Sequence, residues 1–202
     1  KINVISHAIG LFASIVALIL LIEHSATFDG ILPLFSFVLY GLSLVMLYAA
    51  STFYHNSSEP TLRAKLRIVD HAAICVLIAG TYTPLTVVTL NGPIGWAVFT
   101  VSWSLAAVGI ILSIFFTGKF KILSTLIYVL MGWMIVFAIK PLIDSLDEIG
   151  LRWLLAGGLA YTVGAVIYSV KAIKFNHAIF HVFVIIGSFC HFMTVYFYVL
   201  PH

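Results

Sequence analysis

Between Asp70 and Lys119 the chain runs for 48 residues, 71–118, without one Lys, Arg, Asp or Glu. A membrane-spanning helix needs ~20 apolar residues, so this window is about twice what one crossing requires. It holds a natural break at Asn91-Gly92-Pro93, where a polar side chain, a flexible backbone and a missing N–H come together. Two helical crossings joined by a tight turn follow. The remaining long charge-free windows, 2–22, 30–58, 122–139, 153–170 and 175–202, each suit a single crossing. Seven spans are expected, near 4–22, 32–55, 68–90, 94–117, 121–140, 151–171 and 177–199, and they leave little of residues 1–202 outside one domain.

Composition excludes the soluble alternatives. Charged residues are 8% of the chain, against roughly 25% in a soluble domain, too few to cover a solvated surface. A β-barrel would need stretches of ~10 residues alternating in polarity, and runs such as Ile15-Val16-Ala17-Leu18-Ile19-Leu20-Leu21-Ile22 do not alternate. The fold class is all-α, a seven-transmembrane helix bundle. The first apolar segment is long enough to span and lacks an A-x-A-like site before a polar region, so it reads as a span rather than a cleaved signal. Cys75 and Cys190 fall inside apolar spans without C-x-x-C spacing and suggest neither a disulfide nor a thiolate metal site.

Orientation follows from the loops. An odd number of spans places the N-terminus with the loops after spans two, four and six. That side carries Lys1, Arg63, Lys65, Arg67, Lys119, Lys121, Lys171 and Lys174 against Glu59. The other carries Lys140 and Arg152 against Glu23, Asp29, Asp144, Asp147 and Glu148. The positive-inside rule makes the N-terminus cytoplasmic and the C-terminus external, opposite to G-protein-coupled receptors. This one-sided distribution accounts for a pI near 8.9 without any nucleic acid; the partners it implies are anionic lipid headgroups.

Ionisable groups at membrane depth are costly and mark function. Span two ends with Ser51 and His55, span three opens with Asp70 beside His71, and span seven opens with His177 and His181. With a rise of ~1.5 Å per residue these groups share a layer within roughly 10 Å of the cytoplasmic interface. His177 and His181, at i and i+4, lie on one helical face, a spacing used by helical zinc sites, and Ser51 and His55 repeat it. A third imidazole from another helix would complete the three-nitrogen set of catalytic zinc, with water in the fourth position and Asp70 beside it. Taken singly, each residue has a plainer reading: an intramembrane histidine as a hydrogen-bonded interfacial residue, Asp70 as a helix cap or a partner of Arg67. The coincidence of depth favours metal. His7 reads first as an interfacial histidine, with a supporting place beside the metal as its alternative. His191, ~21 Å along the axis from His177, is too distant for the same ion and reads as a hydrogen bond to a neighbouring helix. His24 and His202 belong to the outer side. Pro84 should kink span three and Gly80 allow close approach. Ala160 and Gly164 form a small-xxx-small face for an intramolecular contact, and the aromatic residues of 192–198 read as lipid-facing or interfacial.

The segments Ser51-Thr52-Phe53-Tyr54-His55, Asp70-His71-Ala72-Ala73-Ile74, Ala79-Gly80-Thr81-Tyr82-Thr83-Pro84 and His177-Ala178-Ile179-Phe180-His181 closely resemble the hemolysin III family, the bacterial branch of the progestin and adipoQ receptor superfamily. That superfamily includes the adiponectin receptors and is similar to the alkaline ceramidases. The resemblance covers all seven spans. It implies Zn2+ ligands at His55, His177 and His181, a polar group at Ser51, and at Asp70 the carboxylate that holds water at the metal. His71 departs from the adiponectin receptor pattern, and because adjacent helical residues diverge by ~100° it is left out of the ligand set.

Two functions follow as expectations. One is a zinc-dependent hydrolase of membrane lipids, cleaving an amide bond, with Asp70 as base and Ser51 donating to the developing oxyanion. The other is a non-catalytic membrane-homeostasis sensor with structural zinc. A haemolytic pore-former is disfavoured, because seven uninterrupted apolar spans would aggregate in water before reaching a target. The expected location is the bacterial inner membrane. Substrate and oligomeric state are not legible in the residues.

Overall fold

In hydrocarbon no water is present to satisfy backbone N–H and C=O groups, so an apolar chain closes them within helices. The computed structural model describes residues 2–117 and 121–200, with no strand among them. Lys1, Lys119 and His202, which entered the readings above, lie outside the described residues. The helices are α1 (Ile2–Ser25), α2 (Ile31–Asn56), α3 (Pro60–Pro84), α4 (Gly92–Phe116), α5 (Lys121–Gly132), α6 (Ile139–Ser145), α7 (Glu148–Ser169) and α8 (Asn176–Tyr198). Helix α3 continues as a π-helix, Leu85–Leu90, and α5 reaches α6 through a 3-10 segment, Met134–Ala138. Seven helical stretches are long and apolar enough to cross a membrane, as the charge-free windows predict.

The departures have local causes. Helix α3 starts at Pro60 rather than near 68 because Glu59 caps it. The Glu59 carboxylate accepts from the N–H of Thr61 at 2.8 Å and from that of Leu62, and Pro60 stands where no N–H is needed. The Leu62 and Thr61 donors hold the Glu59 carboxyl below its ordinary pKa. The first two turns of α3, bearing Arg63, Lys65 and Arg67, extend the helix beyond the apolar window. At the other end Pro84 lacks the N–H that would bond Gly80, and the chain passes into the wider π-helix rather than stopping. The Thr81, Thr83 and Thr86 hydroxyls donate to the carbonyls of Leu77, Ala79 and Tyr82. The expected turn falls where predicted, with Asn91 at φ 37° and Gly92 at φ 80°.

The fifth span, expected as one helix over 121–140, is broken after Gly132. The broken turn is rescued from α3: the Tyr82 hydroxyl lies 3.0 and 2.8 Å from the carbonyls of Met131 and Gly132 and accepts from the N–H of Ile135 at 2.9 Å. Orphaned backbone groups inside the bilayer thus acquire a partner.

Helix α3 packs against α2, α4 and α5, α7 against α8 and α5, and α1 against both α2 and α8. Helix α3 with its π-helical extension is the most enclosed span. Phe37, Tyr40 and Leu21 are fully buried, whereas the Phe137 ring is 93% exposed, a placement suited to acyl chains. Close approaches fix the register. A methyl group at Gly80 would lie 2.3 Å from Ser43 Oγ, one at Gly164 2.7 Å from Phe183 Cβ, and one at Gly10 2.4 Å from Tyr48 Cδ1. The small face of α7 at Gly164 thus serves an intramolecular contact.

Candidate metal centre

The last turn of α2, the second and third turns of α3, the start of α8 and the start of α1 meet at one level on the basic side of the bundle. His55 comes from α2 and His177 and His181 from α8. One nitrogen from each lies within 4.8 Å of the others, and the ring centroids are 4.6 to 5.0 Å apart. At this spacing the three nitrogens could hold one metal ion between them. His55 Nε2 is enclosed and has no hydrogen-bond partner, as a ligand atom stripped of its ion would be. Three imidazole nitrogens are a donor set that suits zinc and its first-row neighbours, and these residues fit a metal ion.

Helix α1 fixes one of the candidate ligands. Ser6 Oγ lies 3.1 Å from the Asn3 carbonyl and 3.2 Å from His181 Nδ1. The serine proton goes to the carbonyl, which can only accept, so Oγ takes the proton of Nδ1–H. That tautomer leaves His181 Nε2 with its lone pair for the ion, the orientation an outer hydrogen bond imposes on metal-binding histidines.

His7 corrects the sequence reading. Rather than sitting at the interface it is buried, at 4% exposure, with its ring centroid 3.6 Å from that of His181 and the Tyr48 ring edge-on at 5.3 Å. Both of its nitrogens are enclosed without a partner. The Gly10 notch that receives Tyr48 presses α1 onto α2 and sets His7 here. The signal that could have found it is depth: Asn3, Ser6 and His7 occupy the first two turns of a helix that starts on the same side as the triad.

Asp70, on α3, stands outside the three-nitrogen group and accepts a hydrogen bond from the Ser51 hydroxyl. Ser51 lines the same end of the cavity. His71 lines the same cavity but is not among the three clustered donors.

The cavity has a volume of about 370 Å³. His7, Ser51, Asp70, His177 and His181 line one end, and Leu142, Leu151, Leu154 and Leu155 line the rest with Tyr82 and Trp133. Since both His181 and His191 line it, it extends at least ~15 Å along α8, half of a ~30 Å hydrocarbon core and so about the depth of one acyl chain. His191 is seated on α7: Nε2 lies 3.3 Å from the Leu154 carbonyl, and a methyl at Gly157 would be 2.2 Å from its Cδ2. It bonds a neighbouring helix, as its distance from the triad suggested. Tyr48 and Tyr161 both meet Ser188 Oγ at 2.8 Å, a buried polar cluster that no sequence spacing reveals. His24 and Tyr196 pair at the opposite end, ring centroids 4.6 Å apart.

Comparison with known proteins agrees with this architecture. The family model described as haemolysin-III related matches residues 1–192. Hemolysin-3 of Bacillus cereus is 47% identical over 199 residues, covering 98% of this chain and 91% of the relative. The Hemolysin-3 homolog of Bacillus subtilis (strain 168) is 43% identical over 196 residues, 97% and 92% of the two chains. More distantly, the monocyte to macrophage differentiation factor of Homo sapiens is 30% identical over 169 residues, 79% of this chain and 68% of the relative. With seven apolar helices and bacterial relatives matched along nearly their whole length, the chain belongs to the haemolysin-III related family and is an integral protein of the bacterial cell membrane.

Proposed function

We propose that the protein is a zinc-dependent hydrolase that cleaves an amide bond in a membrane lipid. The observation that carries this reading is the junction of three clustered imidazoles with a serine-held carboxylate at the polar end of an apolar cavity one leaflet deep. Zinc held by His55, His177 and His181 would polarise the scissile carbonyl and acidify water beside it. Asp70 takes the proton from the attacking water and returns it to the amine as the carbon–nitrogen bond breaks and a carbon–oxygen bond replaces it. Ser51 keeps the carboxylate pointed at that water, and Ser6 keeps His181 in its ligating tautomer. The leucine-lined cavity holds the acyl chain and keeps bulk water from the reacting atoms.

Purified protein should contain about one zinc per chain, and changing both His177 and His181 to Ala should remove it, as read by elemental analysis. Asp70→Asn should keep the metal and stop release of fatty acid from a panel of amide and ester lipids followed by mass spectrometry. Undiminished turnover in Asp70→Asn would overturn its role.

A second reading, a metal that only ties α2 to α8, draws support from His7. A fourth imidazole, stacked 3.6 Å from His181 with both nitrogens unpartnered, stands next to the three clustered donors, and structural zinc sites are closed by four protein ligands. Cobalt substitution separates the two: four nitrogen donors in the absorption spectrum favour the structural reading, three with an exchangeable oxygen the hydrolase.

A further inference from the structure

Arg67 lies on α3 one turn before Asp70 and is half-buried. Among the described residues, Arg67 and Asp70 are the only two that line the cavity with a formal charge. Arg67 makes no ion pair among the described residues; the two salt bridges present, Lys140–Asp144 and Arg152–Glu148, are at the other side of the bundle. Its Nε is enclosed and lacks a hydrogen-bond partner, while the nearest acid in sequence, Asp70, is engaged by Ser51. Beside it the Arg63 guanidinium stands 5.5 Å from the centre of the Tyr54 ring, and Tyr54 also lines the cavity. An enclosed N–H without an acceptor is costly, and the planar fork of a guanidinium matches a carboxylate or a phosphate. The polar end of the cavity therefore holds a guanidinium with an enclosed N–H that lacks an acceptor, facing an apolar interior.

We infer that the cavity takes an anionic amphiphile, whose acyl chain fills the leucine-lined part and whose carboxylate or phosphate lies on Arg67 just beyond the bond placed at Asp70. The inference rests on the hydrolase reading for the position of that bond, but recognition of the anion requires no turnover. Asp70 follows Arg67 by three positions on α3, ~4.5 Å along the axis. The anion and the bond at Asp70 thus fall at neighbouring depths, and an N-acyl amino acid, which carries its carboxylate one carbon from the amide, is the simplest amphiphile of this kind. A phosphate on a short ester spacer offers the same fork an anionic partner of higher charge.

The test is direct binding to the purified full chain in neutral detergent, measured by native mass spectrometry in metal-free and zinc-loaded protein. The probes are N-lauroylglycine, its neutral counterpart N-lauroylethanolamine, and lauroyl lysophosphatidic acid. Metal-free protein should prefer one of the anionic probes over the neutral one by at least about tenfold, which excludes the ion itself as the source of the preference. The tighter of the two anions identifies carboxylate or phosphate as the recognised group. Arg67→Gln should lose the preference while binding the neutral probe as before, which also shows that the variant is folded, and Arg67→Lys should retain part of it. Equal affinity of the wild type for all three probes, or a preference that survives in Arg67→Gln, would overturn the inference. A preference without any turnover would sink the hydrolase reading alone, and turnover without a preference would sink the anion site alone.

Discussion

Removing the Ser6 hydroxyl tests how α1 supports the site from outside the ligand set. Ser6→Ala deletes a neutral hydrogen bond of 3.2 Å to His181 Nδ1, and such a bond contributes about 1 kcal/mol net, or about fivefold in Kd. Groups that orient metal-binding histidines run ~10–100-fold in metal affinity. This one falls at the lower end, because at 3.2 Å the bond is long for its kind. We expect zinc to bind Ser6→Ala about five- to tenfold more weakly than wild type, read by competition with a chromophoric chelator at fixed pH. Ser6→Thr, which keeps a hydroxyl at the same position, should remain close to wild type. An unchanged Kd in Ser6→Ala, or a Ser6→Thr as weak as Ser6→Ala, would refute the tautomer argument.

Other substitutions probe the frame around the cavity. Tyr82→Phe strips the partner from the backbone groups of Met131, Gly132 and Ile135 and should cost about 1–3 kcal/mol, seen as a lower thermal midpoint with zinc stoichiometry intact. Gly157→Ala drives a methyl into His191 and should destabilise by about 1–3 kcal/mol, with Gly157→Ser no better. Because imidazoles bind metal only when deprotonated, zinc affinity should fall as pH is lowered; a pH-independent Kd between neutrality and mild acid would argue against histidine ligation.

Much of the frame was legible because charges are expensive in lipid and therefore mark span ends. The Asn91-Gly92-Pro93 break was visible for the same reason, as the only polar turn within a long apolar stretch. His55, His177 and His181 could be grouped because depth follows from residue count along a helix, even though no spacing links α2 to α8. What stayed hidden depends on rotation and on partners far apart in sequence. His7 has the right depth, but only the Gly10–Tyr48 contact turns it toward His181. Nothing in the apolar run through Met131 and Ala138 announces a broken helix, since the group that stabilises the break, Tyr82, belongs to another span. Arg67 read as one of several topological charges or as a partner of Asp70; its place on the cavity wall depends on how α3 is turned against α2 and α5.

The Tyr82 contact also bears on biogenesis. A span whose own backbone is complete can leave the translocon alone, but one with carbonyls and an N–H left open at mid-depth meets a cost of several kcal/mol per group in lipid. The fifth crossing should therefore integrate only once the third is present to receive it, so truncations that remove or mutate Tyr82 should leave nascent 121–145 waiting at the insertion machinery rather than partitioning into the bilayer.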